Sequence, residues 1–174
     1  TGGVTVYEYD NGSWNVKGQS MIIGHPSKQK FGRSLDISAD GNTLVVSQHG
    51  GDLNHLKYVA AYVFEYNSGN NTWEQKGSPI WNGTIGDTPT SGGSTPATLP
   101  NHGPTETFPG GSNHHRADPY TVSITPDGNT VVAGNSAHRV YTWNNSAGDW
   151  EVKGDPIAWG GGTEKPLISS DGNM

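Results

Sequence analysis

Asp36, Ser38 and Asp40 followed by Gly41 spell D-x-S-x-D-G, the spacing with which a calcium loop gathers oxygens at alternate positions before a glycine turn. The chain supplies its own test of that chemistry, because the stretch returns. "ISADGNTLVV" at 37–46 reappears as "ITPDGNTVVA" at 124–133 and closes the chain as "ISSDGNM" at 168–174. Asp36 is matched by Ser123 and Leu167, Ser38 by Thr125 and Ser169, and Asp40 by Asp127 and Asp171. What persists is Asp-Gly-Asn, and a hairpin turn needs no more: Asp caps the turn through nearby backbone and Gly accepts positive φ. The expectation is a turn and no metal, with Asp36, Ser38 and Asp40 the residues that would hold an ion if one bound.

A second group lies in "GTIGDTPTSGGSTPATLPNHGPTETFPGGSNHHRAD" at 83–118, rich in Gly, Pro, Ser and Thr. His102, His114 and His115, with Asp118 nearby, are residue types that hold zinc when several converge. Adjacent histidines on an extended chain point to opposite faces, so this spacing predicts exposed loop histidines and not a metal pair. Phe108, isolated among Pro and Gly, anchors the loop. A connection this long is either functional or disordered, which makes His102, Phe108, His114 and His115 the candidate binding residues.

Other chemistries leave no contiguous trace. The sialidase-type Asp-box fails because "SADGNT" lacks the residue between Asp and Gly, and "FGRSL" lacks the second Gly of a nucleophile elbow. No phosphate-cradling glycine loop with Lys leads from a strand into a helix, and no cofactor is implied. The 16 Asp and Glu sit mostly in turns, so paired carboxylates for glycoside hydrolysis cannot be placed from spacing alone. Sequons at Asn11, Asn70, Asn82 and Asn144 permit glycosylation in a secretory route.

The elements that must position these residues are strands. With 26 Gly, 11 Pro and 30% hydrophobic residues in 174, long amphipathic helices are disfavoured, and short runs of Val, Ile, Tyr and Trp broken by Gly, Asn and Asp fit a pleated surface. A net charge of −6 with 10 scattered Lys and Arg offers no stripe for nucleic acid. No apolar run approaches the length that spans a bilayer, so no membrane insertion is expected. The absence of Cys excludes disulfides and thiol chemistry without fixing a compartment.

Sliding the chain on itself reveals the organisation. "VYEYDNGSWNVKGQSMI" at 6–22, "VFEYNSGNNTWEQKGSPI" at 63–80 and "VYTWNNSAGDWEVKGDPI" at 140–157 share an aromatic strand, a polar turn, a Trp, a Lys-Gly pair and an Ile or Met-Ile. Each aromatic hairpin precedes an Asp-Gly-Asn hairpin, so the fold class is all-β: tandem four-stranded antiparallel blades, a β-propeller or a segment of one, with a long loop insert in the second unit. The first unit's strands are expected near 4–9, 14–23, 33–38 and 43–48. The units are 1–58, 59–139 with the insert at 83–118, and a partial third at 140–174. The repeated Trp residues are expected to pack between blades.

These hairpins, joined to "VY", "W", "KG" and "FG", resemble the FG-GAP-like and WD40-like propeller repeats of large surface-exposed proteins. The resemblance implies blades and no particular activity. Two units and a third ending at "DGNM" are fewer than the roughly four blades of a small propeller. A segment of a longer polypeptide is therefore expected first, and blades assembled from several chains second.

The function expected from sequence is a non-enzymatic structural and recognition segment, extracellular or on a particle surface. It would present its loops to surface glycans, proteins or other chains of the same assembly. One alternative is a building block of an appendage, fibre or virion. The other is an enzyme, a propeller glycosidase or lyase whose catalytic residues lie elsewhere.

Overall fold

The computed structural model describes residues 2–21, 30–49, 60–81, 121–134, 137–158 and 165–172. The 83–118 insert, and with it His102, Phe108, His114 and His115, lies outside them, as does Asn82. Among the described residues every regular element is a strand, in the order β1 (Tyr7–Asp10), β2 (Ser13–Val16), β3 (Lys30–Ile37), β4 (Thr43–His49), β5 (Ala60–Asn67), β6 (Thr72–Gln75), β7 (Ile80–Trp81), β8 (Thr121–Ile124), β9 (Thr130–Gly134), β10 (Ala137–Asn144) and β11 (Asp149–Ala158). The all-β, antiparallel expectation holds.

Strands β1 and β2 form a two-stranded hairpin, β3-β4-β5-β6 a sheet in which β7 also pairs β5, and β8-β9-β10-β11 a four-stranded sheet. Strands β6 and β7 are one edge strand interrupted by Lys76 to Pro79, since Phe64 pairs with Gln75 and Ala61 with Ile80. The third aromatic hairpin bulges at the same place, between the pairs Val140–Lys153 and His138–Ile157. In the first, Lys17 N–H donates to the Val6 carbonyl and Val4 bridges Met21. The Lys-Gly pair is thus a bulge that steers the edge strand.

The phase differs from the one expected. Each sheet joins the Asp-Gly-Asn hairpin of one repeat to the aromatic hairpin of the next: β4 pairs β5 from Thr43–Glu65 to Gln48–Ala60. The β1–β2 hairpin belongs to a separate layer. Val4 and Met21 pack with Phe31, Leu44, Val46, Phe64 and Trp73 on one face of the central sheet. Val45, Ala61, Val63 and Ile80 face the other way, against Val122, Ile124, Val131, Ala133, Tyr141 and Trp150 of the last sheet. Because successive strand residues alternate in direction, the run Leu44-Val45-Val46 serves both cores, and all three are at most 1% exposed.

One contact recurs where layers meet. Trp73 donates its indole N–H to the Lys17 carbonyl at 2.8 Å and Trp150 donates to the Lys76 carbonyl at 2.9 Å. The glycine after each Lys has φ of 72° and lies under the incoming indole: a Cβ on Gly18 would sit 2.7 Å from Trp73 Cδ1, and one on Gly77 2.7 Å from Trp143 Cζ3. Each Trp leans on an aromatic partner across its hairpin, Tyr66 with Trp73 at 5.4 Å and Trp143 with Trp150 at 5.3 Å. The preceding Lys ammonium covers that partner, Lys17 over Tyr66 at 4.7 Å and Lys76 over Trp143 at 5.1 Å.

This geometry separates two chemically identical substitutions. Gly77→Ala combines a left-handed backbone penalty with a steric clash and should cost about 3 kcal/mol in urea denaturation. Gly154→Ala, at φ 70° with no described residue within 4 Å of its Cβ, should cost only about 1 kcal/mol.

Candidate functional site

The three Asp-Gly-Asn turns are built alike. Ser38 Oγ donates to Asp40 Oδ1 at 2.6 Å and accepts from Thr43 N–H at 2.8 Å, while Asn42 N–H also reaches Asp40 Oδ1 at 3.0 Å. Thr125, Asp127, Asn129 and Thr130 repeat this arrangement, and Ser169 donates to Asp171. These hydroxyl bonds hold the Asp40 and Asp127 carboxyls below their ordinary value. The hydroxyl two residues before the Asp is part of the motif, which "Asp-Gly-Asn" alone misses. Gly41, Gly128 and Gly172 all have positive φ. A Cβ on Gly128 would meet Thr43 Oγ1 at 2.6 Å, one on Gly172 would meet Thr130 Oγ1 at 3.2 Å, and Ala39 N–H donates to the Pro126 carbonyl. The turns stack from layer to layer.

Asp36 does not converge with Ser38 and Asp40. Its Oδ2 accepts from Ser123 Oγ at 2.8 Å and Ile124 N–H at 3.2 Å, and faces Lys165 Nζ at 3.6 Å. Lys165 also reaches the Leu35 carbonyl at 3.4 Å. Beside it, Val122 N–H donates to Ser34 Oγ, and Ser34 N–H to Ser47 Oγ. Strand β3, strand β8 and the 165–169 segment, the first strand position of three successive units, thereby meet at one polar cluster. Leu35 and Ile37, which alternate with Ser34 and Asp36 along β3 and so face away from the cluster, are exposed, as is Leu167. Among the described residues no group of His, Asp and Glu is assembled to hold a metal ion.

The cluster is the candidate site. Its Asp36 carboxylate and Lys165 ammonium, with side chains 28% and 43% exposed, can take a proton and stabilise an oxyanion respectively. Ser123 Oγ bonds the carboxylate directly, so it lacks the intervening base that activates a serine nucleophile. His138 lies elsewhere, 6% exposed in the core, its Nε2 3.3 Å from Thr121 Oγ1, and burial lowers its pKa. Sequence spacing could not reveal the cluster, because its members come from residues 34–36, 123 and 165.

The three sequons among the described residues fall at turns or at the end of a strand. Asn11 has φ 50° between β1 and β2 and its amide donates to Asp10, that of Asn70 donates to Glu74, and that of Asn144, at the end of β10, donates to Glu151. A glycan on Asn70 or Asn144 would have to displace a carboxylate contact.

The architecture is similar to that of a proposed 6-phosphogluconolactonase from Bacteroides uniformis, with 20% identity and a TM-score of 0.51 over 91% of this chain and 35% of that one. A proposed 6-phosphogluconolactonase from Bacteroides fragilis aligns at 16% identity and a TM-score of 0.49 over 91% of this chain and 33% of that one. The chain therefore spans about a third of the length of each. No family model and no curated protein matches it.

These findings correct the sequence reading in two respects. The resemblance to FG-GAP-like and WD40-like repeats is overturned: Phe31-Gly32 is the single "FG", no copy carries the Gly-His and Trp-Asp pair, and the structural neighbours belong to a different group. Of the shared residues, Trp73 and Trp150 pack on the Lys-Gly turns at 17–18 and 76–77, while Tyr7 and Trp14 of the first copy are exposed. The expectation of a non-enzymatic recognition segment is likewise overturned, since the Bacteroides uniformis neighbour is described as a proposed 6-phosphogluconolactonase.

The turn chemistry sets a pH dependence. Because the folded Asp40 and Asp127 titrate below the ordinary value of 3.8, their contribution is present above that pH and is lost as pH falls through the folded values. Urea midpoints should decline below about pH 4. Thr125→Val, which leaves the buried Thr130 N–H without its acceptor, should cost about 1–2 kcal/mol at neutral pH and flatten that decline.

Proposed function

We propose that the chain is part of a β-propeller enzyme that hydrolyses a sugar lactone, with the Asp36–Lys165 cluster at the working end. The observation that carries the reading is the match to the Bacteroides uniformis structure over 91% of this chain. Its tandem four-stranded sheets, packed face to face around first strands that meet at one polar edge, support the propeller architecture. The activity belongs to the whole assembly, of which this chain supplies a part.

The chemistry follows from the two charges. Asp36 takes a proton from a water placed against the lactone carbonyl, and the hydroxide so formed bonds to that carbon. Lys165 stabilises the oxyanion. When the carbonyl re-forms, the ring C–O bond breaks, and the departing alkoxide recovers the proton from Asp36 to give the hydroxy acid.

Acid release from gluconolactone and its 6-phosphate, followed in a pH-stat, tests this. Turnover should exceed spontaneous hydrolysis. Lys165→Met, which leaves the Asp36–Ser123 bond intact, should lower kcat by about 100-fold. Rates equal to the spontaneous ones with every lactone would contradict the proposal.

A further inference from the structure

The loop of the first hairpin is Asn11-Gly12, closed by the pair Asp10↔Ser13. Of the asparagines among the described residues, Asn11 alone precedes a glycine. Both loop residues have positive φ, 50° at Asn11 and 84° at Gly12, which makes a type I′ turn. Both are exposed, as are residues 68–71 and 145–148 at the tips of the other two aromatic hairpins. The exposure therefore belongs to the tip and not to what lies beside β1 and β2.

The group within the chain that can attack the Asn11 carboxamide carbon is the next backbone nitrogen. In a type I′ turn that nitrogen points away from the Asn11 side chain. Rotating the Asn11–Gly12 peptide by half a turn gives type II′, whose first ψ is about −120° as the mirror image of type II. For an L residue this ψ brings the following nitrogen level with Cβ, so Gly12 N swings alongside Asn11 Cγ and a five-membered ring can close. The rotation costs little. Type II′ also matches the twist of a hairpin, so the strand ladder is kept, and Gly12 accepts either sign of φ. A Cβ at Gly12 would meet nothing within 4 Å, and no described group accepts its N–H. The Asp-Gly turns lack this freedom. Gly41, Gly128 and Gly172 N–H donate to the Ser38, Thr125 and Ser169 carbonyls at 2.9, 2.9 and 3.0 Å, and hydroxyls hold the three carboxylates. Asn70 and Asn144 are tied to Glu74 and Glu151 and precede another asparagine.

We propose that Asn11 is a site of spontaneous deamidation through a succinimide. Gly12 N gives its proton to solvent base and bonds to Asn11 Cγ. The Cγ–Nδ2 bond then breaks, and the nitrogen takes a proton from water and leaves as ammonia. Water next adds to the imide: opening at Cγ leaves aspartate, whereas opening at the Asn11 backbone carbonyl carbon leaves isoaspartate, with the chain running through Cβ and Cγ. Either product adds a negative charge to a chain of net charge −6. It also sets a carboxylate beside Asp10, where the Asn11 amide donates to Oδ2 at 2.9 Å, so repulsion replaces a hydrogen bond. Isoaspartate inserts an extra backbone atom into a two-residue loop, which the Tyr9↔Trp14 pair across it can absorb only by shifting. Both products destroy the sequon Asn11-Gly12-Ser13, so glycan transfer and deamidation exclude each other at this residue.

Peptide mapping of folded protein held in warm, mildly alkaline buffer tests the proposal. The tryptic peptide ending at Lys17 separates Asn11 from Asn82-Gly83, which lies beyond the cut at Lys76, and fragment spectra separate Asn11 from Asn15. Asn11 should convert at least about tenfold faster than Asn70 or Asn144, because only its follower lacks a side chain, and aspartate and isoaspartate should appear together. Gly12→Asn keeps a residue that tolerates positive φ, as Asn11 and Asn71 do here, and should slow conversion by about tenfold. Circular dichroism checks that this variant folds, and the comparison among asparagines of the unaltered chain stands without it. Conversion of Asn11 no faster than that of Asn70 and Asn144, aspartate without isoaspartate, or an unchanged rate in folded Gly12→Asn would overturn the proposal.

Discussion

The architecture depends on one constraint: an indole too large to bury within its own hairpin must find a hydrogen-bond acceptor in the neighbouring layer. Trp73 and Trp150 find it in the carbonyls of Lys17 and Lys76. The edge strand that offers the carbonyl has to bulge, the residue after it has to lack a side chain, and the Lys that precedes the bulge is thrown over the next aromatic ring. Each of these requirements is met by the two residues Lys-Gly. That is why so short a motif can recur through a chain whose loops otherwise diverge.

The same layering governs the polar edge. A sheet built from half of one repeat and half of the next cannot be completed by one repeat alone, so its neighbours are obligatory. Their first strand positions are then held side by side. Asp36 exploits that placement by bonding Ser123 and Ile124 of β8 and facing Lys165 of the segment beyond. A carboxylate that ties layers together is also one that the fold keeps in a fixed place.

Much of this was legible in the sequence, and the illegible parts share a cause. Strand content, hairpins, the packing role of Trp73 and Trp150 and the glycine turns follow from local spacing, which side-chain alternation and φ preferences impose directly, while Trp14, expected to pack as they do, is exposed. The half-repeat offset does not, because β4 could in principle pair with β5 or with a strand of its own repeat, and that choice is made by burial across layers. Alignment of the repeats kept Asp-Gly-Asn and passed over Ser38, Thr125 and Ser169, since Ser and Thr look like a mismatch until both hydroxyls are seen to serve one carboxylate. Asp36 was grouped with Ser38 and Asp40 by spacing, while its partners Ser123 and Lys165 are distant in sequence and carry no motif. Candidates in 83–118 fall outside the described residues.

The interlayer indole bond can be weighed directly by comparing Trp73→Phe with Trp14→Phe in urea unfolding of dilute protein. Both changes keep an aromatic ring and delete one N–H, but only Trp73 donates across layers at 2.8 Å. Trp73→Phe should lose about 1–2 kcal/mol while Trp14→Phe stays within about 0.5 kcal/mol of the unaltered chain. Equal losses at the two positions would contradict the claim that the Lys carbonyl–Trp contact holds the layers together.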